Sequence, residues 1–285
     1  MRAVVVGATG YVGRALLERC AGRFEALGTS SKSAAGMVRL DLRDPGGFDY
    51  ARIGPGDVIF LAAGISSPDA CAADYAAAYA LNVAGTGQFI AAALGRGARV
   101  LFFSSDTVYG DSPAEVDERA PCRPAGAYAR MKHAVEQRFA AQTAFKAVRL
   151  SFVFSRRDQF TRYLLDCARR GVEARLFQPF SRAVVHLDDV LEGVLALASH
   201  WREVPGAAIN IGGPEMLSRP AFADIIRAVA APSLAYAVSA PPAQFFANRP
   251  AVINMKSPLL APLLGRPARG LAEAARLEFD AKEIG

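Results

Sequence analysis

The sequence predicts an α/β protein with a Rossmann-type, doubly wound parallel sheet and a smaller carboxyl-terminal substrate-binding lobe. Two observations carry this prediction. The first apolar run leads directly into a glycine-rich turn, and short apolar runs then alternate with longer Ala-rich stretches. Strands that alternate with helices build parallel sheets with right-handed crossovers. The chain has 285 residues, 52% of them hydrophobic, so it can bury a large core.

Apolar periodicity places the individual elements of the first half. Strands are expected at residues 2–6, 24–27, 58–62 and 100–103. Helices are expected at residues 11–20, 69–94 and 127–142, where apolar residues recur at helical spacing. Residues 147–154 are expected to add a later strand to the same sheet.

The second half is less regular. Residues 160–170 and 220–230 are predicted helices, and residues 184–198 begin as a strand and become helical after Asp188 and Asp189, which are expected to cap the helix. Residues 232–262 are rich in proline and are expected to form an irregular part of the lobe. We therefore expect a dinucleotide-binding domain at residues 1–150 plus about 183–205. The substrate-binding lobe is expected at about 151–182 and 206–285.

Composition excludes several classes of function. The net charge of +6 suits small anionic ligands such as dinucleotides and nucleotide sugars. The basic residues are scattered, so no nucleic-acid partner is expected. The four cysteines and three histidines are also scattered, and no metal site is expected. No apolar run approaches the ~20 residues that span a bilayer, so we expect a cytoplasmic protein that binds no membrane.

A phosphate-binding turn follows the first strand. The segment reads Gly7-Ala8-Thr9-Gly10-Tyr11-Val12-Gly13 and opens the first predicted helix. Glycines permit the tight turn and the close approach of a pyrophosphate, and the N–H groups of the helix N-terminus bind its oxygens. Gly7, Thr9, Gly10 and Gly13, together with Tyr11 and Val12, are therefore predicted to bind a dinucleotide.

The end of the second strand indicates which dinucleotide is bound. An NAD site usually carries an acidic residue there, which holds the ribose 2′-hydroxyl. Here the segment reads Leu27-Gly28-Thr29-Ser30-Ser31-Lys32 and has no acid. Ser30, Ser31 and Lys32 can instead bind a 2′-phosphate, so NADP(H) is preferred, with NAD(H) as the alternative. Asp41 and Leu42 follow the third strand, where Asp41 either accepts from the adenine amine or caps a turn.

Tyr128 and Lys132 form a Y-x-x-x-K pair inside a predicted helix. Residues four apart share one helical face, and a nearby ammonium is expected to lower the pKa of the phenol. Tyr128 can then exchange a proton with a carbonyl oxygen. Ser105 ends an upstream strand at the sheet edge that faces the cleft and can hydrogen-bond the same oxygen, although Ser104 and Thr107 offer rival hydroxyls.

The chain resembles the extended short-chain dehydrogenase/reductase superfamily. The matching pieces are the glycine turn, Leu61-Ala62-Ala63, Asn82 to Thr86, Ser104 to Gly110, Tyr128 to Lys132, Val185 to Val190 and Asn210 to Gly213. The resemblance implies that Leu61, Ala62 and Ala63 line the cofactor. It also implies a homodimer built on the helices near residues 69–94 and 127–142.

Within this superfamily, three features of the chain resemble dTDP-4-dehydrorhamnose reductases. Residues 149–154 resemble their R-x-S-W-V-Y stretch with Phe152 in place of Trp, Ser105-Asp106 resembles their T-D pair, and Arg249-Pro250 resembles part of their substrate lobe. This implies a nucleotide-diphosphate 4-keto sugar as substrate. The implied substrate contacts are Ser66, Asp106, Thr107, Phe152 and Arg249.

The chain also departs from its resemblances. The segment around His186 is more similar to epimerases and dehydratases, while Thr107 stands where dehydratases carry the Glu that eliminates water. Three functions follow. The first is an NADPH-dependent 4-keto sugar reductase, and the second is a sugar-nucleotide epimerase with tightly held NAD. The third is an NADP-binding regulatory subunit with little catalysis, against which the intact Ser105, Tyr128 and Lys132 argue.

Overall fold

Apolar runs separated by glycine and polar turns become strands and helices throughout the computed structural model, which describes residues 2–280 apart from the side chain of Ala243. The strands are β1 (Arg2–Val6), β2 (Glu25–Ser30), β3 (Val38–Arg39), β4 (Val58–Leu61), β5 (Arg99–Ser105), β6 (Ser112–Val116), β7 (Phe145–Leu150), β8 (Phe152–Phe154), β9 (Ala174–Phe177), β10 (Ser181–His186), β11 (Ala208–Ile211), β12 (Met216–Ser218), β13 (Tyr236–Ser239) and β14 (Val252–Met255). The α-helices are α1 (Tyr11–Ala21), α2 (Pro68–Ala73), α3 (Tyr75–Tyr79), α4 (Thr86–Gly95), α5 (Gly126–Phe139), α6 (Gln159–Arg170), α7 (Leu187–Ser199), α8 (Arg219–Val229), α9 (Leu260–Leu264) and α10 (Leu271–Asp280).

The central sheet has seven parallel strands in the order β11-β7-β5-β4-β1-β2-β3. Its inner strands are buried on both faces, as parallel strands covered by helices are. Phe89 and Met131 from α4 and α5 pack on one face, and Leu16 and Val194 from α1 and α7 pack on the other. The predicted Rossmann-type fold is confirmed. From β1, the chain adds β2 and β3 on one side of the sheet and then β4, β5, β7 and β11 on the other. The switch lies between β1 and β4, and a cleft opens there at the carboxyl ends of these two strands.

A second layer of strands forms the lobe. Strands β12, β10, β14 and β6 pair in that order, β8 pairs with β10, and β13 pairs with β9. The domain limits drawn from the sequence remain a prediction, but three of the described strands lie across them. One is β6, which falls in the predicted dinucleotide-binding domain and pairs with β14 in the lobe. Strand β11 joins the central sheet beside β7, whereas β10 belongs to the lobe. Strands β13 and β14 also lie within residues 232–262, which were expected to be irregular.

The predicted strand at residues 147–154 is wrong as a single element. The backbone N–H of Ser151 donates to the carbonyl of Ile211, and beyond it β8 leaves the central sheet to pair with β10. Both halves are apolar, so periodicity did not reveal the break. Residue 151 therefore lies where the sheet and the lobe meet.

The start of helix α7 also differs from its prediction. Helix α7 begins at Leu187 with His186 at its N-cap, so Asp188 and Asp189 lie in its first turn and neither is the cap. The fully buried Asp189 instead accepts from Arg266 and from the backbone of Arg269 at 2.8 and 2.7 Å. A carboxylate near a helix N-terminus is stabilised there, so Asp189 anchors the chain that leads into α10.

The helical region predicted at residues 69–94 is divided. Helix α2 ends at Asp74, whose side chain accepts from the N–H of Ala77 and begins α3, and a π-helical segment at Ala80–Gly85 leads into α4. By length and composition the run Tyr75–Gly95 could cross a membrane, with a mean hydropathy of 1.2. Half of it is buried in the fold, and the core helix of a globular protein meets the same criterion. Membrane binding therefore gains little support.

Gly85 and Gly95 provide a test of packing around α4. A Cβ on Gly85 would lie 1.6 Å from the carbonyl oxygen of Leu42, whereas nothing lies within 4 Å of a Cβ on Gly95. We expect Gly85→Ala to lower the free energy of unfolding by about 3 kcal/mol through overpacking. Gly95→Ala, the control, should leave it unchanged or raise it by up to about 1 kcal/mol. Urea unfolding of both variants measures this, and equal stability would contradict it.

Candidate active site

The glycine turn is shaped to let a pyrophosphate approach the backbone. Gly7 has φ +85°, and a Cβ there would lie 2.8 Å from the backbone of Ala63. A Cβ on Gly13 would lie 2.2 Å from the carbonyl oxygen of Gly7. Helix α1 starts after Gly10 with no side-chain cap, so its first N–H groups are available to an anion. The turn therefore fits the phosphates of a dinucleotide.

A groove leads from this turn along the carboxyl ends of the strands. Its first part is a cavity of about 280 Å³, and its second part is a cavity of about 190 Å³. Both parts contact Ala62, Gly64 and Ile65, so they form one elongated site. The predicted residues that line the first part are Gly7, Thr9, Gly10, Ser30, Ser31, Asp41, Leu42, Ala62 and Ala63. Those that line the second are Val12, Ala62, Ser66, Ser105, Tyr128 and Lys132.

Four predicted cofactor residues lie outside the lining of the groove. Gly13 packs under the turn, and Leu61 is fully buried in β4. The hydroxyl of Tyr11 donates to Oγ of Ser155 at 2.7 Å, which ties α1 to the lobe. Lys32 is exposed beside the groove, and its predicted contact with a 2′-phosphate remains a prediction.

Arg43 is a cofactor-site residue that the sequence did not reveal. Its Nη2 lies 2.6 Å from Oδ2 of Asp41, and both residues line the first cavity. Hydrogen bonds from Arg43 lower the pKa of Asp41 to about 2. The Asp41 carboxylate is thus charged but paired with a cation, which reduces its repulsion of a 2′-phosphate. Arg43 directly follows the predicted cofactor residues Asp41 and Leu42, and this adjacency could have indicated its place in the site.

The catalytic residues predicted from the sequence meet in the second cavity. The ammonium of Lys132 is buried and donates to the carbonyl oxygen of Phe103 at 2.7 Å, and its Nζ lies 5.8 Å from the ring centroid of Tyr128. Burial lowers the pKa of Lys132 to about 8. Ser105 lies close enough to Tyr128 for its hydroxyl to lower the pKa of the phenol, and both side chains line the cavity. The phenol of Tyr128, the hydroxyl of Ser105 and the ammonium of Lys132 therefore share one cavity.

The pKa of Tyr128 is raised, whereas the sequence predicted that it would be lowered. Burial raises it well above its ordinary value, and the nearby carboxylate of Asp106 raises it further. The effect of Lys132 on the phenol, which was expected to dominate, does not outweigh this desolvation. Tyr128 is therefore fully protonated at neutral pH.

The structure distinguishes Ser105 from the two alternative hydroxyls, those of Ser104 and Thr107. Ser104 also lines the cavity, but its hydroxyl is engaged in a hydrogen bond that it donates to Glu136. Thr107 donates both its backbone N–H and its hydroxyl to Oγ of Ser105, at 3.2 and 3.0 Å. Ser105 is thus the hydroxyl of this group that contacts Tyr128, and Thr107 helps to orient it.

Asp106 lies behind the cavity and does not line it. Its two carboxylate oxygens accept from Ser105 at 3.2 Å and from Ser151 at 2.8 Å, and Arg182 lies 3.7 Å away. Burial raises the pKa of Asp106. Its predicted contact with a sugar remains a prediction, and its visible role is to hold two hydroxyls. Ser151, which lines the cavity, was missed because the strand break at this residue was not foreseen.

A buried charge network supports the catalytic helix from behind. Nη2 of Arg149 lies 2.6 Å from Glu136, and its Nη1 donates to the hydroxyl of Tyr109 at 2.8 Å. Burial favours the neutral form of Glu136, but the nearby ring of His133 and hydrogen bonds from Arg149 outweigh it and hold the pKa of Glu136 below its usual value. Each charge is compensated, which is how buried ions persist in folded proteins.

One group of side chains in this network has the composition of a metal site. Ligand atoms of Cys122, His133 and Glu136 lie within 4.8 Å of one another. However, Glu136 is already bound to the guanidinium of Arg149, which would repel a metal ion. Burial also raises the pKa of the Cys122 thiol, whereas metal binding needs the thiolate. We assign no metal to this group.

The remaining predicted substrate residues lie in the lobe. Phe152 follows Ser151 and meets Phe222 edge-on, with 5.7 Å between ring centroids. Arg249 forms an ion pair with Asp69 and stacks on Phe245, while its buried Nε has no hydrogen-bond partner among the described atoms. Neither arrangement tests a substrate contact, and both roles remain predictions.

The sheet, the glycine turn and the Tyr128–Lys132–Ser105 cavity define a dinucleotide-binding protein of the extended short-chain dehydrogenase/reductase class. A model of the NAD dependent epimerase/dehydratase family matches residues 3–212. The chain therefore belongs to this family, as its motifs predicted. The family name implies a nicotinamide dinucleotide, and the glycine cradle and elongated groove fit one.

Individual relatives agree with this assignment. The chain is 29% identical over 229 residues to dTDP-4-dehydrorhamnose reductase of Mycobacterium tuberculosis, a match that covers 76% of this chain and 72% of the relative. A hypothetical dTDP-4-dehydrorhamnose reductase from Sulfolobus tokodaii superposes with a TM-score of 0.83 at 21% identity, covering 95% and 98% of the two chains. UDP-glucuronic acid 4-epimerase from Bacillus cereus, in complex with UDP-glucuronic acid and NAD, superposes with a TM-score of 0.82 at 17% identity over the whole of both chains. The structural matches show the shared fold.

Removal of Arg149 tests the buried network. Arg149→Met leaves the buried Glu136 carboxylate without its cation, so we expect a loss of about 3–5 kcal/mol in the free energy of unfolding. The double variant Glu136→Gln/Arg149→Met should recover part of this loss. Arg170→Met, which removes an exposed pair with Asp166, is the control and should change stability by less than about 1 kcal/mol. Urea unfolding that gives Arg149→Met the stability of the control would contradict the network's role.

Proposed function

We propose that the protein is a cytoplasmic, NADPH-dependent reductase of a nucleotide-diphosphate 4-keto sugar. The observation that carries the proposal is the placement of Tyr128, Ser105 and Lys132 in one cavity that continues into the dinucleotide groove. The similarity to dTDP-4-dehydrorhamnose reductase supports the choice of substrate class.

The reaction requires a hydride and a proton. The dinucleotide, when bound in the groove, supplies the hydride. Tyr128 and Ser105 line the same cavity, so a carbonyl oxygen placed between their hydroxyls can accept from both. Ser105 polarises the carbonyl, and Tyr128 transfers its proton to the developing alkoxide. Because burial raises the pKa of Tyr128, the phenol starts in the protonated form that reduction needs.

Lys132 stabilises the product of that proton transfer. Its ammonium lies beside the Tyr128 ring and offsets the charge of the phenolate once the proton has left. One of its three N–H donors is held by the carbonyl of Phe103. The remaining donors can bind the hydroxyls of a nicotinamide ribose, so Lys132 both positions the cofactor and assists Tyr128.

The surroundings favour reduction over water elimination. A dehydratase of this class needs a carboxylate at the position of Thr107, and Thr107 here donates its hydroxyl to Ser105. Asp106 is held by Ser105 and Ser151 behind the cavity. We therefore assign Asp106 and Thr107 to positioning Ser105, with Ser66 and Phe152 on the side where a sugar would enter.

Paired helices suggest how two copies would associate. Tyr75 and Tyr79 stack with ring centroids 5.9 Å apart and expose 47% and 43% of their surfaces on the outer side of the α3–α4 run. Exposed aromatic rings on a helix are typical of subunit contacts. We propose a homodimer across this helix and α5.

Tyr128→Phe tests the proton transfer. We expect kcat for reduction of dTDP- and UDP-linked 4-keto-6-deoxyhexoses to fall about 10²–10³-fold, because the phenol proton is lost. The dissociation constant of NADPH should stay within about twofold, since the ring remains. Tyr50→Phe, which removes a hydroxyl bound to the carbonyl of Pro45 far along the fold, is the matched control.

Three outcomes would contradict the proposal. Full turnover by Tyr128→Phe would exclude Tyr128 as the proton donor. Purified protein that retains NAD and interconverts sugar epimers would establish the epimerase instead. Absence of hydride transfer across the whole panel, with NADPH bound, would favour a binding subunit.

The cofactor preference has its own test. We expect NADPH to bind at least tenfold more tightly than NADH, because Ser30, Ser31 and Lys32 offer donors to a 2′-phosphate. Lys32→Ala should weaken NADPH by about tenfold, the value of one charge-assisted hydrogen bond, and leave NADH unchanged. Lys256→Ala is the control, since Lys256 pairs with Glu115 in the lobe. Equal binding of both dinucleotides by the wild type, or unchanged NADPH affinity in Lys32→Ala, would contradict the preference.

A further inference from the structure

A separate cavity lies at the opposite end of the central sheet from the active site. It has a volume of about 350 Å³ and lies between the loop that follows α5 and the loop that follows α7. We call it the Trp201 cavity, and its polar and aromatic lining includes Gln142, Thr143, Lys146, Trp201 and Arg202. Strand β7 begins at Phe145, which lines this cavity, and ends at Leu150, which lines the catalytic one. The two cavities are therefore at opposite ends of one strand.

The Trp201 cavity contains a buried ammonium. Lys146 exposes only 6% of its surface, and its Nζ donates to the carbonyls of Val204 and Gly206, each at 2.8 Å. An ammonium has three N–H donors, so one donor remains unused. Among residues 2–280, no carboxylate forms an ion pair with Lys146, and burial accordingly lowers its pKa. Two carbonyl dipoles thus stabilise this charge, but no described acid neutralises it.

Arg202 adds a second positive charge to the same cavity. Its side chain is exposed, and within the described part of the chain it pairs with no carboxylate. The adjacent acid, Glu203, is engaged elsewhere, with Oε2 lying 2.9 Å from Nδ1 of His200. A further guanidinium, that of Arg99, lies 5.3 Å from the ring centroid of Trp201, and burial and the charge of Arg202 lower its pKa. The surroundings of the cavity are therefore strongly basic.

Two helices end beside the Trp201 cavity, and their dipoles offset part of its charge. Helix α5 ends at Phe139 and α7 ends at Ser199, each within a few residues of the cavity lining. The carbonyl end of a helix carries about half a negative charge, so the two ends together supply about one. Lys146 and Arg202 supply two positive charges. About one positive charge is thus left for an anion to neutralise.

We propose that the Trp201 cavity binds a small phosphate-bearing metabolite. A phosphate presents three terminal acceptor oxygens, so it can accept from an ammonium, a guanidinium and an uncharged donor at once. Lys146 and Arg202 provide the two charged donors, and the side chains of Gln142 and Thr143 provide uncharged ones. The volume admits a phosphate with a small organic group attached. This site goes beyond the proposed reduction and does not depend on it.

The only tryptophan of the chain makes the proposal directly measurable, because Trp201 lines the cavity. The protein is first saturated with NADP⁺, which fills the cofactor groove. It is then titrated with inorganic phosphate, while potassium chloride keeps the ionic strength constant. We expect a saturable change in Trp201 fluorescence, and a rise in melting temperature over the same range of phosphate concentration, because a ligand that binds the folded state stabilises it.

Two variants remove the charges in turn. Arg202→Met alters an exposed side chain and should weaken phosphate at least tenfold, with Arg202→Lys lying between it and the wild type. Lys146→Met should abolish saturation. If Lys146→Met does not fold, Lys146→Gln, which can still donate to the two carbonyls, provides the same comparison. Arg170→Met is the matched control, since it removes an exposed arginine that pairs with Asp166 on α6, and it should keep the wild-type affinity.

Several results would overturn the proposal. They are the lack of a saturable response of the wild type in both measurements, an equal response to chloride alone, or unchanged phosphate affinity in Arg202→Met and in the Lys146 variant that folds. An equal loss in Arg170→Met would also overturn it, because the response would then reflect total charge. A protein that binds phosphate at this cavity but reduces no 4-keto sugar would refute the proposed reaction and leave the site intact.

Discussion

The contact between helix α5 and strand β5 is the constraint on which the site depends. Tyr128, Lys132 and Glu136 are spaced four residues apart, so they form one stripe along the helix. Lys132 donates to the carbonyl of Phe103, and Glu136 accepts from Ser104, so the stripe is fastened to the end of the strand at two points. Ser105, the next residue, is thereby placed against Tyr128.

Charge is placed differently in the two halves of the molecule. Behind the catalytic strand each buried ion has a partner, as Glu136 and Arg149 show, and the network makes the site rigid at little electrostatic cost. In the lobe, among residues 2–280, the cation of Arg219 lies against three aromatic rings. The first arrangement holds catalytic groups in position. The second holds a guanidinium through cation–π contacts.

Local patterns predicted much of the fold and of the site. The strand at Arg2–Val6, the glycine turn after it and the helix pair Tyr128 and Lys132 were all placed correctly, because each follows from the spacing of neighbouring residues. The same reasoning failed at residue 151, where an apolar run crosses from one sheet to another, and at Asp74, which divides a helical run by capping its second half. Periodicity reports which residues are buried, but not which partner strand buries them.

The sequence by itself determined the class of the protein, since the phosphate-binding turn and the Y-x-x-x-K pair are defined by residues only a few positions apart. The tertiary structure decided how the neighbours of this pair divide their roles. The hydroxyl of Ser104 is engaged by Glu136, 32 positions along the chain, whereas Ser105 is the serine that acts on Tyr128 in the cavity that both line. Arg43 lines the cofactor groove, and Arg219 is enclosed by rings from three separate elements. Such contacts join distant parts of the chain, and only folding brings them within reach.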